Sequence, residues 1–355
     1  YALVIVLGII IVTGLVILYS TSAYNGKLKF QDSFYYLKKQ IFATLLGIAG
    51  MWIIARVDYH VWKKWSVPGY LVSVLLGIAV LLIGDEYNGS KRWLSLGPFS
   101  FQPSEFAKVA IILFLTYVIM RNVKSMGKFT TVCKIVVSVL PVVGLVGASN
   151  LSTAIIILGI AVVLVFVASP KYGQFAWMIF LGCAFMGIFL AMESYRLERL
   201  QIWRHPENYE KGYQTLQGLY AIGSGGLFGK GFGSSIQKLG FVPEAQNDMI
   251  FSIICEELGI FGGIFVLILF GYLLYRLFFI AQNAPDLFGS LIVTGIFIHI
   301  ALQVILNIAV VLNLMPYRCH LALYQLRRNV HCVPDAGDGN SSQRGPSDKI
   351  SRVKY

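Results

Sequence analysis

Glu105 and Lys108 stand three residues apart where an apolar run begins, in Gln102-Pro103-Ser104-Glu105-Phe106-Ala107-Lys108. On a helix that spacing puts both on one face, where they can pair. Charges inside a membrane span are expensive and are functional candidates by default; the alternative is an ion pair that only joins two helices. Just upstream, Gly89-Ser90-Lys91-Arg92-Trp93-Leu94 reads as an external basic-aromatic turn, with an interfacial anchor as its plainer role. Asp248 closes Gly240-Phe241-Val242-Pro243-Glu244-Ala245-Gln246-Asn247-Asp248, directly before another apolar run at the outer boundary. It could be a general base in a partly dehydrated pocket, or it could cap the helix that follows. The residues alone leave both open.

Other candidates are weaker. Gly223-Ser224-Gly225-Gly226 and Gly229-Lys230-Gly231-Phe232-Gly233 could cradle a phosphate with backbone N–H groups. No Lys-Ser/Thr follows at a helix start, so this is not a Walker A motif, and re-entrant packing is the better expectation. Glu256 and Glu257 fall one or two turns inside an apolar run, and at least one must face the protein interior. His299, Gln303 and Asn307 recur every four residues, which suits hydrogen bonding between helices.

The elements that must position these residues are membrane helices. Of the 355 residues, 57% are hydrophobic and only 13% charged, with a mean hydropathy of +0.70. A soluble domain carries about 25% charged residues, and disorder or nucleic-acid binding would need far more polar sequence. Runs long enough to cross a bilayer lie near 2–19, 41–55, 69–84, 103–120, 131–148, 152–169, 173–192, 249–274 and 287–312. The five cysteines form no paired motif and imply neither a disulfide frame nor a metal site. The chain opens on Tyr1, so an N-terminal piece is expected to precede it.

Loops at 56–68 and 121–130, with Lys171 and Arg276, are basic and of one parity, which puts them and the N-terminus in the cytoplasm. Residues 20–40 break the rule: Lys27, Lys29, Lys38 and Lys39 stand against Asp32 on the outer side. The longest polar stretch, 193–247, is external, with six basic residues and five acids. A loop of that size exceeds what a connection needs and is expected to be functional. Beyond Asn313 the apolar pattern stops; residues 318–355 hold seven Lys/Arg and three Asp.

Three segments together resemble one family. Residues 89–108 (GSKRWLSLGPFSFQPSEFAK), 212–233 (GYQTLQGLYAIGSGGLFGKGFG) and 238–259 (KLGFVPEAQNDMIFSIICEELG) are similar to the SEDS polymerases FtsW, RodA and SpoVE. The resemblance spans about residues 1–316. It implies an all-α polytopic membrane protein, nine transmembrane helices of a ten-helix SEDS fold, with a large extracellular loop between helices 7 and 8. The implied activity is peptidoglycan glycosyltransfer, polymerising lipid II outside the bacterial cytoplasmic membrane in division, elongation or sporulation. Implied partners are a class B penicillin-binding protein transpeptidase, undecaprenyl-diphosphate-linked glycan, and divisome or elongasome proteins, with no nucleic acid. The family's essential acid falls on Asp248, which favours the base over the cap. Its Ser-Glu-x-x-Lys falls on Ser104, Glu105 and Lys108, and its Arg-Trp on Arg92 and Trp93; Arg196, Lys238 and Glu244 complete the expected substrate contacts. No cofactor is expected, with a divalent cation left open.

Two departures stand out. Asn150-Leu151-Ser152-Thr153 replaces the family's Asp-Leu-Gly-Thr, so Asn150 receives no role. The tenth helix is missing, with its Leu-Pro-Phe-Ile-Ser-Tyr-Gly-Gly-Thr-Ser motif. Residues 318–330 can be back-translated so that a one-nucleotide shift reads Gly-Val-Thr-Leu-Pro-Phe-Ile-Ser-Tyr-Gly-Gly-Thr. Residues 317–355 are therefore expected to be an out-of-frame, disordered tail. The competing readings are a lipid-precursor flippase and an inactive fragment of the polymerase.

Overall fold

The computed structural model describes residues 1–87, 90–96, 99–171, 173–191, 201, 203–208, 212–242, 245–246 and 249–314. Ten helices carry the described part: α1 (Ala2–Phe30), α2 (Tyr35–Ala55), α3 (Val61–Ile83), α4 (Pro103–Asn122), α5 (Phe129–Ser149), α6 (Leu151–Ala168), α7 (Gly173–Ala191), α8 (Tyr213–Gly225), α9 (Ile250–Gln282) and α10 (Leu287–Val311). Eight of them, all but α7 and α8, are long and apolar enough by themselves to cross a membrane among the described residues. The 19-residue α7 lies where the seventh run was read. The tail reading for residues 317–355 lies outside the described residues.

One core holds α4, α5 and α6 together against α10, around Ile111, Leu115, Val139, Ile157 and Ile298. A second joins α1, α9 and α10 around Ile10, Ile17, Phe270 and Val304. Much of the outer surface is apolar instead, with Leu75, Leu82, Phe265 and Ile268 each more than 45% exposed. Water would not tolerate such a surface; acyl chains would. Pro68 and Pro141 sit inside α3 and α5, as membrane helices allow.

The helical membrane architecture expected from the sequence carries one addition. Between α3 and α4 the chain forms a small antiparallel sheet, β1 (Asp85–Tyr87), β2 (Ser90–Leu96) and β3 (Phe99–Phe101). Asp85 pairs with Trp93 and Leu94 with Phe101. Arg92 and Trp93 therefore lie on a strand, where a turn was expected. The long gap read at 20–40 also shrinks, because α1 continues to Phe30, where Gln31 ends it in the left-handed region.

α9 departs furthest from its sequence reading. Gly259 has φ 70° and ψ −168°, a break that divides the helix into arms 250–258 and 260–282. The arms fold against each other: the Phe251 ring and Cys255 Sγ both reach the Gly263 backbone, with 3.0 Å from Sγ to the place of a Gly263 Cβ. The 23-residue second arm, about 34 Å long, is by itself long enough to cross a bilayer. The span read at 249–274 falls on the apolar helix Ile250–Gln282, which breaks at Gly259. Glu256 and Glu257 belong to the short arm.

Candidate functional site

α4 begins where Pro103, which has no N–H to lose, takes the first helical turn. Gln102 Nε2 donates to Ser104 Oγ at 3.0 Å. One turn on, Lys108 Nζ lies 2.9 Å from Glu105 Oε2; the lysine side chain is fully buried and that of Glu105 is 15% exposed. The pairing read from the spacing is formed. Glu105 also sits in the first turn, where the helix dipole favours an anion. Its other oxygen, Oε1, is buried with no hydrogen-bond partner among the described residues.

This pair faces α10. Ile112 packs directly on Gly295, and one turn away on each antiparallel helix are Lys108 and His299. The same α10 face carries Gln303 and Asn307, both fully buried. His299 is hydrogen-bonded to Gln303 on its own helix and close enough to Lys108 to feel its charge.

Arg92 reaches across from β2, its Nε donating to the Ser149 carbonyl at the end of α5 at 2.9 Å. It shares a narrow cleft with Ser73, Pro103, Ser104, Ala107 and Asn150. Trp93 is buried at 7% exposure, which removes the interfacial-anchor alternative. Asn150, given no role from the sequence, caps α6: its side chain accepts from Thr153 N at 3.4 Å. The cap position was the signal that could have placed it.

Lys238 turns out to be elsewhere and occupied. Its Nζ is 2.6 Å from Glu257 Oε1 and 3.0 Å from Ser20 Oγ, and Ser20 donates to Glu257 in turn. The Lys238 ammonium thus joins Glu257 to Ser20 of α1 in this structure. Beside it, Lys230 Nζ lies 2.8 Å from Glu256 Oε1, and Ser235 Oγ donates to the same carboxylate. Backbone bonds complete the attachment: Lys230 N and Gly231 N donate to Glu256 O and Glu257 O, and Ile260 N donates to Gly226 O. The glycine-rich segment is thus stitched to the break in α9, as the packing alternative held. Sequence reasoning missed this double pair; two lysines upstream of two adjacent buried glutamates were its only trace.

Arg196, Glu244 and Asp248 lie outside the described residues. Their neighbours are informative: Gln246 and Met249 are 7% and 2% exposed, and Asn25 Nδ2 donates to Gln246 Oε1 at 3.0 Å. Met249 packs with Val242, Ala245, Ile253 and Val311. Among the described residues no group of three or more His, Cys, Asp or Glu could hold a metal ion.

A family model described as "Cell cycle protein", FtsW/RodA/SpoVE, matches residues 1–319. Stage V sporulation protein E of Bacillus subtilis (strain 168) is 38% identical over 327 residues, covering 88% of this chain and 87% of the relative. A probable peptidoglycan glycosyltransferase FtsW of Geobacter sp. (strain M18) is 34% identical, covering 89% and 88%. Among solved structures, a peptidoglycan synthase complex that coordinates polymerization and crosslinking contains a chain matching with a TM-score of 0.75 at 26% identity, over 93% and 94%. The rod shape determining protein RodA of Thermus thermophilus matches with a TM-score of 0.63 at 25% identity, over 93% of both.

Proposed function

The chain belongs to the FtsW/RodA/SpoVE family, and from that membership we infer a multi-pass membrane peptidoglycan glycosyltransferase. Its substrate is lipid II, and the growing strand stays on undecaprenyl diphosphate. The sheet end of the bundle faces outward and the basic loops face the cytoplasm, which puts the N-terminus inside. The observation that carries the reading is the Glu105–Lys108 pair, a fully buried ammonium one residue from the wall of the Arg92 cleft.

Forming a β-1,4 link from an α-linked diphosphate donor inverts the anomeric carbon. The acceptor's 4-hydroxyl oxygen bonds to that carbon, the carbon–oxygen bond to the diphosphate breaks, and the hydroxyl proton passes to a carboxylate. Asp248 is that base. Supporting it, the nearest described residues in sequence, Gln246 and Met249, are both buried. Lys108 and Arg92 offset the charge of the departing diphosphate, with Arg196 as a further cation. A class B penicillin-binding protein transpeptidase is the partner. A flippase would need polar groups through both halves of the bilayer. Among the described residues the buried charged side chains, Lys108, Lys238, Glu256 and Glu257, lie toward the sheet end.

The test is polymerisation of purified lipid II beside the cognate transpeptidase. Asp248→Asn keeps the size and most capping capacity but removes the base, so chain formation should fall by about 100-fold or more with unchanged expression. Near-normal polymer from the Asn variant would return Asp248 to a capping role. The reading applies to a chain whose frame after residue 317 is restored, and that version should be compared in the same assay.

A further inference from the structure

We propose that Asn25 of α1 is a positioning residue for the transfer reaction: its hydrogen bond to Gln246 sets where the Asp248 segment stands. The inference rests on the reading of Asp248 as the base.

Asn25 Nδ2 donates to Gln246 Oε1 at 3.0 Å, joining side chains 221 residues apart in the chain. Gln246 is 7% exposed, so its amide finds little water to replace that donor. Asp248 follows two residues later, and Met249 comes next. Covalent geometry alone keeps the Asp248 Cα within about 3.8 Å of the Met249 Cα. Met249 is held in turn. It packs with Val242, Ala245, Ile253 and Val311, and Ser252 Oγ donates to its Sδ at 3.8 Å. The base therefore hangs between one apolar and one polar attachment. Apolar packing is non-directional, whereas a hydrogen bond has a preferred line; the Asn25 contact is the one that can orient the segment.

The outer end of α1 is a firm place to anchor it. Gly26, next to Asn25, is buried, and a Cβ there would stand 2.7 Å from the Asp32 carbonyl oxygen. The Tyr19 ring stacks on Phe34 with centroids 5.0 Å apart. Five residues before Asn25, Ser20 bonds to both Glu257 and Lys238. One helix thus grips the chain at three points, Lys238 and Gln246 before Asp248 and Glu257 after it. These grips differ in kind. Lys238 and Glu257 are buried charges, so losing either threatens the fold. Asn25 and Gln246 are neutral amides, and losing their bond leaves no buried charge behind. What it releases is the placement of the segment, and a small misplacement of a catalytic group is enough to slow a reaction.

The experiment titrates lipid II in the same polymerisation assay. Asn25→Leu, similar in size but without the donor, should lower kcat about tenfold and leave KM within about twofold of the wild type's. Its melting temperature should stay close to that of the wild type. Gln246→Leu should match it, and the double variant should be no slower than either single, because both remove the same bond. Should Asn25→Leu fail to fold, Asn25→Ala replaces it. Wild-type kinetics would overturn the proposal, as would a raised KM with unchanged kcat. A multiplied loss in the double variant would overturn it too, since the two amides would then act separately. Asp248→Asn in the same assay keeps two failures apart. Near-normal polymer from that chain removes the base reading itself, whereas an inactive Asp248→Asn beside a wild-type Asn25→Leu removes only the positioning role.

Discussion

Lys238 Nζ lies 2.6 Å from Glu257 Oε1, and their side chains are only 8% and 4% exposed. With Ser20 on the same carboxylate, one buried contact ties α1, the polar segment that precedes α9 and the short arm of α9. Removing one partner of such a pair leaves an uncompensated buried charge, at about 3–5 kcal/mol, whereas replacing both by apolar side chains is often tolerated. Lys238→Met or Glu257→Leu alone should therefore lower the melting temperature sharply, and the double variant should recover most of the loss. Additive losses in the double variant would show that the pair is not the coupling.

Gly259 makes the second testable point. At φ 70°, a Cβ would run into the Leu227 carbonyl and the Gly229 amide nitrogen. Gly259→Ala combines this clash with a conformation that costs a non-glycine residue about 1–3 kcal/mol. The variant should melt well below the wild type and be cleaved faster by trypsin at Lys230, whose anchoring depends on the break. Wild-type stability and protease resistance would mean that the two arms do not need this turn.

The same glycine shows where sequence reading stops. Residues 249–274 read as one apolar run whose only charged residues are Glu256 and Glu257, and hydropathy cannot separate a straight span from two arms folded at a glycine. The helices α3 to α6 were legible because each run is bounded by polar or charged loops. The Glu105–Lys108 pair was legible from local spacing. Lys238–Glu257 was not, since nothing local links a lysine to a glutamate nineteen residues away across a fold-back. The small sheet was missed although Asn88-Gly89 is a strong hairpin signal between its strands; the apolar helices on either side drew the reading.

Exchange of charge separates structure from catalysis at Glu105 and Lys108. A Glu105→Lys/Lys108→Glu chain keeps a 2.9 Å-type contact between opposite charges but moves the cation one turn toward the sheet and places the carboxylate deeper. The exchanged chain should fold close to wild-type stability and lose most polymerisation. Full activity would reduce the pair to a helix joint; misfolding would show that burial at position 108 requires the ammonium itself.

At the end of the bundle opposite the sheet, the Tyr59 hydroxyl donates to Asp286 Oδ1 at 2.6 Å, joining the α2–α3 and α9–α10 connections. The hydrogen bond from Tyr59 holds the Asp286 carboxyl below the usual carboxylate range and raises Tyr59 above the usual phenol range. A carboxyl depressed in the folded state stabilises at pH above its unfolded value, near 4, and that stability is lost as pH falls through the folded value. His60 Nε2 lies 3.7 Å from Asp286 Oδ2 and its Nδ1 2.8 Å from Asp58, so the comparison belongs in a His60→Gln background, free of imidazole charge. There, acidification from about pH 5 to pH 3 should lower the melting temperature more in the Asp286 chain than in Asp286→Asn. Tyr59→Phe should shrink that difference, because without the phenol donor the carboxyl returns toward its ordinary range. Equal acid sensitivity of all three chains would show that the Tyr59–Asp286 bond does not couple the two connections.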